Sequence, residues 1–192
     1  MNAPKSKIAI LISGRGSNME AIIKASQEVD FPAEVALVIS NKDDAKGLEI
    51  AQSHGIKTQT IAHKDFTNKV DFETALCESL EAVQPDLICL AGFMRIFGDT
   101  YFERVKTPTL NIHPSLLPKH KGLNTHQAAI DAGDISHGVS VHFVTPALDD
   151  GAIIMQESIE IHKGDTANDL ANRLLPIEHE IYPKAIRKVL NT

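Results

Sequence analysis

Short apolar runs that alternate with amphipathic stretches constrain the fold of this 192-residue chain more than any other feature. The first run, 8–12, ends in Ser-Gly-Arg-Gly-Ser-Asn, and apolar residues then recur at helical spacing, which is typical of a strand, a tight loop and a helix. The most apolar run of the first half, 86–91, is typical of a central parallel strand covered on both faces. Four strands that alternate with helices predict a doubly wound α/β sheet.

The second half of the chain has a different pattern, because its last two predicted strands are separated by a turn that contains Pro, Asp and Gly. The length fits one domain, at about 100–200 residues per domain. We therefore expect a single α/β domain with a mostly parallel sheet and an antiparallel C-terminal extension. The predicted strands are 8–12, 35–39, 56–61, 86–91, 109–113, 139–144 and 153–161, and the predicted helices after the first are 44–54, 69–83, 124–132 and 166–190.

Composition argues against several classes of function. The chain carries 19 basic and 25 acidic residues, a formal charge of -6, without a run of cations, so a general nucleic-acid or anionic-membrane surface is not expected. The polar start and the short apolar run before Ser13 do not resemble a signal peptide or a membrane span. We expect a cytoplasmic protein that acts on small molecules, in which Cys77 and Cys89 are buried, reduced thiols.

The Gly-rich loop at 13–18 is the first candidate ligand site, since the helix that follows it would present free N–H groups to an anion. The loop does not fit a dinucleotide fingerprint, because Met19 stands where the third glycine belongs and 40–41 lacks the ribose-binding acid. An alternative also stays open at this point. Ser17 and Glu20 could form a capping box without any ligand.

The second candidate is Asn-Ile-His-Pro at 111–114. Strand alternation places Asn111 and His113 on the same face. An amide N–H donor beside an imidazole suits a reaction that develops a carbonyl oxyanion and moves a proton, as acyl or formyl transfer does. Two hydrogen-bonded polar residues at a strand end would explain the tetrapeptide equally well.

The third candidate is the turn Leu-Asp-Asp-Gly at 148–151. Turn chemistry alone explains its residues, but a carboxylate that reached His113 would orient the ring and favour its charged form. Five of the nine histidines lie between 113 and 142, yet their spacing matches no zinc template, so we expect no metal. Met94 and Phe97 could belong to a core or to a pocket wall, whereas the charge of Arg95 favours a cleft edge.

Several motifs, taken together in order and spacing, resemble the glycinamide ribonucleotide formyltransferase family over nearly the whole chain. The ending Glu-His-x-Ile-Tyr-Pro at 178–183, combined with the early Gly-rich loop, is similar to the purine-pathway members rather than to other folate-dependent formyltransferases. The resemblance implies one Rossmann-like formyltransferase domain over 1–192, with a phosphate- and ribosyl-binding half at about 1–105 and a catalytic and folate-binding half at about 106–192. The other motifs are Ser-Gly-Arg-Gly-Ser-Asn at 13–18, Leu-Ala-Gly-Phe-Met-Arg-Ile at 90–96, Asn-Ile-His-Pro-Ser-Leu-Leu-Pro at 111–118, Val-His-Phe-Val at 141–144 and Leu-Asp-Asp-Gly at 148–151.

The resemblance implies transfer of the formyl group of 10-formyltetrahydrofolate to the amine of glycinamide ribonucleotide, without a metal, by a monomer or homodimer. Asn111 would stabilise the oxyanion, His113 would transfer the proton, Asp149 would support the charged His113, and His142 would be a supporting partner. The expected ribonucleotide contacts are Gly16, Ser17, Asn18 and Glu178. The expected folate contacts are Lys69, Met94, Arg95, Ile96, Phe97, Asn111, Thr145, Pro146, Ala147, Leu148 and Asp149.

The chain also departs from the family pattern in ways that generate expectations. Lys69 stands where members of the family often have Arg, and lysine cannot make the bidentate contact that Arg makes with the folate tail. Pro176 should interrupt the last helix. The bond between Leu117 and Pro118 is expected to be cis. The alternatives are formyltetrahydrofolate hydrolase, a formyltransferase with another acceptor such as methionyl-tRNA, and a non-catalytic nucleotide-binding module. The first two families normally carry a further domain, which we expect this chain to lack.

Overall fold

A seven-stranded sheet organises residues 4–191, which the computed structural model describes. The strands lie in the order β3-β2-β1-β4-β5-β6-β7. They are β1 (Ser6–Ile12), β2 (Ala33–Ser40), β3 (Thr58–Thr60), β4 (Leu87–Leu90), β5 (Thr109–His113), β6 (Ser136–Phe143) and β7 (Ile153–Glu160). The helices are α1 (Ser17–Ser26), α2 (Lys46–Ser53), α3 (Lys69–Val83), α4 (Asp99–Arg104), α5 (Thr125–Asp131) and α6 (Ala167–Leu190), with a 3₁₀ turn at His63–Asp65.

The strand pairing confirms the expected sheet. The strands β1 to β5 pair in parallel, and β6 and β7 add in antiparallel orientation beside β5. The chain winds outward from β1 in both directions, to β2 on one side and to β4 on the other. A reversal of this kind opens a crevice at the carboxyl ends of the central strands, here β1 and β4. We call this crevice the cleft.

Side chains of β1 explain why its sequence is a continuous apolar run. Ile8, Ile10 and Ile12 are buried in a core with α1, α2 and α6, whereas Ala9 and Leu11 are buried on the other face with α3 and α4. A strand covered on both faces has no position for a polar residue. Cys77 and Cys89 are free and buried in these cores, as predicted, and burial raises the pKa of Cys77 to about 11.

The predicted interruption of the last helix at Pro176 is wrong, because α6 continues from 167 to 190 with Pro176 and Pro183 inside it. A proline removes one helical N–H donor and costs about 3 kcal/mol in a helix interior. Pro176 lies on the exposed side, where water can bind the carbonyl that is left free. The packing of Leu174 and Ile181 against the sheet holds the helix together across that position.

The sequence reading also missed two short elements, α4 and the 3₁₀ turn at His63–Asp65. Six and three residues are too short for a helical period to emerge from the sequence. The predicted cis bond between Leu117 and Pro118 is confirmed. Within residues 4–191, no helix is long and apolar enough to span a membrane.

Candidate active site

Three segments meet at the cleft because each follows a parallel strand. The Gly-rich loop leaves β1, the segment 91–98 leaves β4, and β5 ends in His113. Strand β6 lies beside β5 with His142 directly opposite Asn111. The sheet therefore places the amide of Asn111 and both imidazole rings in one small volume.

Asn111 lies within hydrogen-bond reach of His142, with 3.3 Å between Nδ2 and Nε2. The His142 Nδ1 lies 2.8 Å from the carbonyl oxygen of Phe143, which can only accept a hydrogen bond. In the neutral ring Nδ1 therefore carries the hydrogen, and Nε2 accepts from the Asn111 amide. This contact orients Asn111 and leaves its second N–H free for another acceptor.

Asp149 is a buried carboxylate between the two histidines. Its Oδ2 lies 3.5 Å from Nδ1 of His113, and its Oδ1 lies 3.6 Å from Nε2 of His142. The Gly122 N–H donates to the same Oδ2 at 2.9 Å. Burial by itself would raise the pKa of Asp149, but the Gly122 N–H that donates to it and the charge of His113 oppose burial, and the pKa is lowered. The carboxyl is therefore ionised.

The turn that carries Asp149 has a strained backbone that its residues tolerate. Asp149 has φ of 49°, in the left-handed region that Asp and Asn enter more readily than other side chains. A Cβ at Gly151 would lie 1.8 Å from the carbonyl oxygen of Phe143, so the turn can pack against β6 only with glycine there. Both features serve to bring one carboxylate to the histidines.

His113 is held from the other side by the loop that follows β5. Its Nε2 lies 2.9 Å from the carbonyl oxygen of His120, so Nε2 carries a hydrogen, and Nδ1 faces Asp149. Each ring nitrogen thus faces a hydrogen-bond acceptor, so both N–H groups of an imidazolium would have a partner. The sequence reading missed the backbone contacts of His120 and Gly122, and the length of the loop was the only signal for them.

The Gly-rich loop lines a cavity of about 240 Å³ together with Ala91, Gly92 and Met94. The capping-box alternative is wrong, because Gly16 is the N-cap residue of α1, Ser17 is its first residue, and no side chain caps the helix. Gly16 has φ of 76°, and a Cβ there would lie 2.9 Å from the Cα of Gly47. The tight approach of two backbones explains this glycine and leaves the first N–H groups of α1 open to a ligand.

Glu178 reaches the same end of the cleft from α6. Asn18 Nδ2 donates to Glu178 Oε2 at 2.7 Å, whereas the buried Oδ1 of Asn18 has no partner among the described residues. Burial raises the pKa of Glu178, and the Asn18 hydrogen bond offsets only part of that effect. An unpartnered amide oxygen beside a buried carboxyl group is suited to a ligand with hydrogen-bond donors.

The residues expected at the folate pocket fall into two kinds. Met94, Arg95 and Ile96 are exposed, as the charge of Arg95 led us to expect, whereas Phe97 is a core residue whose ring stacks on Tyr101 with 3.7 Å between centroids. Lys69 is half exposed, with Nζ 3.7 Å from Oε1 of Glu73. In the loop 145–149, Thr145, Pro146, Ala147 and Leu148 are exposed or half-buried, whereas the carboxylate of Asp149 is buried as described above.

The remaining histidines of the 113–142 stretch form hydrogen bonds beside the site. His120 Nε2 lies 2.7 Å from Asp134 Oδ2, and His126 Nδ1 lies 2.9 Å from His137 Nε2. Burial and the charges of His126 and His120 lower the pKa of His137 to about 4. In residues 4–191, no group of three or more His, Cys, Asp or Glu side chains is arranged to hold a metal ion.

The amide of Asn111, the imidazole of His113 and the carboxylate of Asp149 lie together at the carboxyl end of β5, and groups of these kinds can stabilise an oxyanion and move a proton. Residues 6–186 match the family described as formyl transferase, so the chain belongs to that family.

Similar proteins are bacterial enzymes and part of the length of longer animal proteins. The phosphoribosylglycinamide formyltransferase of Haemophilus influenzae is 44% identical over 181 residues, which are 94% of this chain and 85% of that protein. The trifunctional purine biosynthetic protein adenosine-3 of Bos taurus is 44% identical over 185 residues, which are 96% of this chain, but the chain spans only 18% of its length.

Solved structures agree with these similarities. Glycinamide ribonucleotide transformylase 1 from Symbiobacterium toebii has a TM-score of 0.94 and 41% identity, over 97% of this chain and 88% of that one. Phosphoribosylglycinamide formyltransferase from Brucella melitensis has a TM-score of 0.89 and 45% identity, over 98% of this chain and 97% of that one.

The low pKa of His137 predicts a loss of stability in acid. The folded state keeps this ring neutral, whereas the unfolded chain takes up its proton near pH 6.5, so stability falls as the pH decreases from about 6.5 to about 4. We expect the wild-type protein to lose roughly 1–3 kcal/mol more than His137→Gln between pH 7 and pH 5, measured by urea unfolding. The exposed His162→Gln should behave as the wild type does, and an equally steep loss in His137→Gln would contradict the assignment.

Proposed function

We propose that the chain is a glycinamide ribonucleotide formyltransferase that takes its formyl group from 10-formyltetrahydrofolate, in purine biosynthesis. The observation that carries this proposal is the convergence of Asn111, His113 and Asp149 beside the cavity of the Gly-rich loop, in a member of the formyl transferase family. Relatives named for this activity match over more than nine-tenths of the chain. The substrates are small molecules, and we expect a cytoplasmic monomer or homodimer without a nucleic-acid or membrane partner.

The ribonucleotide binds at the Gly-rich loop. The N–H groups of Gly16, Ser17 and Asn18 lie at the N-terminus of α1, where the backbone donors and the helix dipole favour a phosphate. Glu178 and the free Oδ1 of Asn18 accept hydrogen bonds from the ribosyl-glycinamide part. This arrangement directs the glycinamide amine toward Asn111 and His113.

The folate binds along the segment 94–97 and the loop 145–149. The exposed side chains of Met94, Ile96 and Leu148 supply apolar surface along these two segments, and exposed apolar groups beside polar backbone fit a flat heteroaromatic ring. Arg95 and Lys69 supply cations for the carboxylates of the tail. 10-Formyltetrahydrofolate supplies the formyl group in the reaction.

The site residues then divide the chemistry among them. As the amine nitrogen bonds to the formyl carbon, the free N–H of Asn111 donates to the formyl oxygen, which gains negative charge. His113 transfers the proton that the amine loses to the departing N10 nitrogen, directly or through one water. Asp149 stabilises the charged form of His113, and His142 holds the Asn111 amide in place. A bond between the formyl carbon and the amine nitrogen forms, the bond between the formyl carbon and N10 breaks, and no external acid is consumed.

The first test is a formyl-transfer assay with glycinamide ribonucleotide and 10-formyltetrahydrofolate, beside a tube that lacks the ribonucleotide. We expect deformylation of the folate only when the amine is present. Deformylation without the amine would indicate the hydrolase instead. No consumption in either tube would contradict the proposal and leave another acceptor or a non-catalytic module.

Replacement of His113 by Ala should lower kcat roughly 10²- to 10⁴-fold, the range of a general acid or base. Ribonucleotide binding should persist, because the Gly-rich loop and Glu178 are untouched. Turnover and isothermal titration calorimetry measure the two effects. The exposed His162→Ala is the matched control, and a His113→Ala variant as active as this control would disprove the assigned role.

Asp149→Asn should lower kcat, by a smaller factor than His113→Ala does. The neutral amide keeps the shape of the side chain but cannot stabilise the positive charge that His113 gains while it carries the proton of the amine. Steady-state kinetics with both substrates at saturation measure the effect. Asp150→Asn, at an exposed position of the same turn, is the control and should keep the wild-type kcat. Equal kcat values for the two variants would contradict the role of Asp149.

A further inference from the structure

Two buried side chains hold the two ends of the segment 94–98. At one end the Met94 N–H donates to Ser13 Oγ at 2.7 Å, and at the other end the Gly98 N–H donates to Glu73 Oε1 at 2.7 Å. Ser13 and Glu73 are buried, whereas the side chains of the segment between the two bonds are largely exposed. We propose that Ser13 and Glu73 are positioning residues that fix this segment for the folate, an inference that rests on the proposed function.

Ser13 links the segment to the sheet interior. Its hydroxyl hydrogen is directed at Asn41 Oδ1, 2.5 Å away, so the oxygen keeps a lone pair for the Met94 N–H. Asn41 follows β2, and its carbonyl oxygen lies 2.9 Å from Nδ1 of His63, so the ring donates a hydrogen bond to it. Hydrogen bonds at Asn41 therefore connect the 3₁₀ turn at His63–Asp65 with Ser13, which holds the first residue of the segment.

Glu73 holds the other end from α3, with the side chain only 2% exposed. A buried carboxylate that accepts a backbone N–H forms a charge-assisted hydrogen bond, which is stronger than one between neutral groups. Lys69 is the cation beside it, at 3.7 Å, so the same lysine offered to the folate tail also neutralises Glu73. A Cβ at Gly98 would lie 3.1 Å from Lys69 Nζ and 3.3 Å from Glu73 Oε2, and glycine permits this close approach.

A segment fixed at both ends loses less conformational entropy when it binds a ligand through its backbone. Folate affinity should therefore depend on both anchors, although neither side chain touches the folate. The ribonucleotide should depend on Ser13, which belongs to the Gly-rich loop, but not on Glu73. This difference separates positioning of the folate segment from a general loss of structure.

The test compares Ser13→Ala and Glu73→Gln with two controls, Ser26→Ala at a buried serine of α1 and Glu78→Gln at an exposed position of α3. Tetrahydrofolate, the reaction product, is the probe for binding by calorimetry. We expect its affinity to fall roughly three- to tenfold in both anchor variants, as loss of one hydrogen bond implies, and to stay unchanged in the controls. Amide hydrogen exchange should accelerate at Met94 in Ser13→Ala and at Gly98 in Glu73→Gln.

Steady-state kinetics supply a second readout. In Glu73→Gln the KM for the formyl folate should rise by a similar factor, while the KM for the ribonucleotide and kcat remain those of the wild type. Folded variants with faster exchange but unchanged tetrahydrofolate affinity would overturn the proposal, because the two bonds would then be merely structural. If Glu73→Gln does not fold, Gly98→Ala carries the same expectation, since its Cβ would lie 3.3 Å from Glu73 Oε2 and 3.1 Å from Lys69 Nζ, so these side chains must shift by a few tenths of an ångström.

The two proposals can fail separately. A wild-type protein without ribonucleotide-dependent deformylation would refute the function, yet tetrahydrofolate affinity would still decide whether Ser13 and Glu73 position the segment. A wild-type protein that transfers formyl groups, with anchor variants indistinguishable from their controls, would refute the positioning alone.

Discussion

The pairing of β1 between β2 and β4 is the constraint on which the rest of the structure depends. The carboxyl ends of parallel strands lie at the same edge of the sheet. The direction of the strands alone therefore brings together the segments that leave β1, β4 and β5. The antiparallel β6 then brings His142 against Asn111 from the opposite chain direction. The mixed sheet thus places side chains from both halves of the chain in one cleft.

Desolvation makes the centre of the site sensitive to each of its partners. A buried carboxylate is unfavourable on its own, and Asp149 remains ionised because the Gly122 N–H donates to it and the His113 ring lies beside it. The pKa of Glu178 is raised instead, because the one hydrogen bond from Asn18 does not offset the effect of burial. The site therefore holds one carboxyl group with a lowered pKa beside the histidines and another with a raised pKa at the end of the cleft where a ligand is expected.

Local patterns predicted the strands and the convergence of Asn111 and His113, because alternation and parallel winding follow from backbone geometry. The same patterns could not show that α6 continues through Pro176, since tertiary packing outweighs a local cost there. The capping box at Ser17 was wrong for a similar reason: the approach of Gly47 determines the conformation of Gly16. Backbone contacts from His120 and Gly122 carry no signature in side-chain type, so only coordinates reveal them.

Those backbone contacts show that the loop 114–122 is part of the site. Its His120 carbonyl accepts from His113, and its Gly122 N–H donates to Asp149, so one loop holds both members of the acid–base pair. His120 in turn contacts Asp134 through its side chain, which ties the loop to the turn after α5. Neither contact uses a side chain of the loop, but Gly122 has φ of 81°, in the left-handed region that favours glycine, so the hydrogen bond to Asp149 depends on glycine there. The geometry of the reacting residues therefore depends on the path of the backbone, which Gly122 and the contact between His120 and Asp134 help to set.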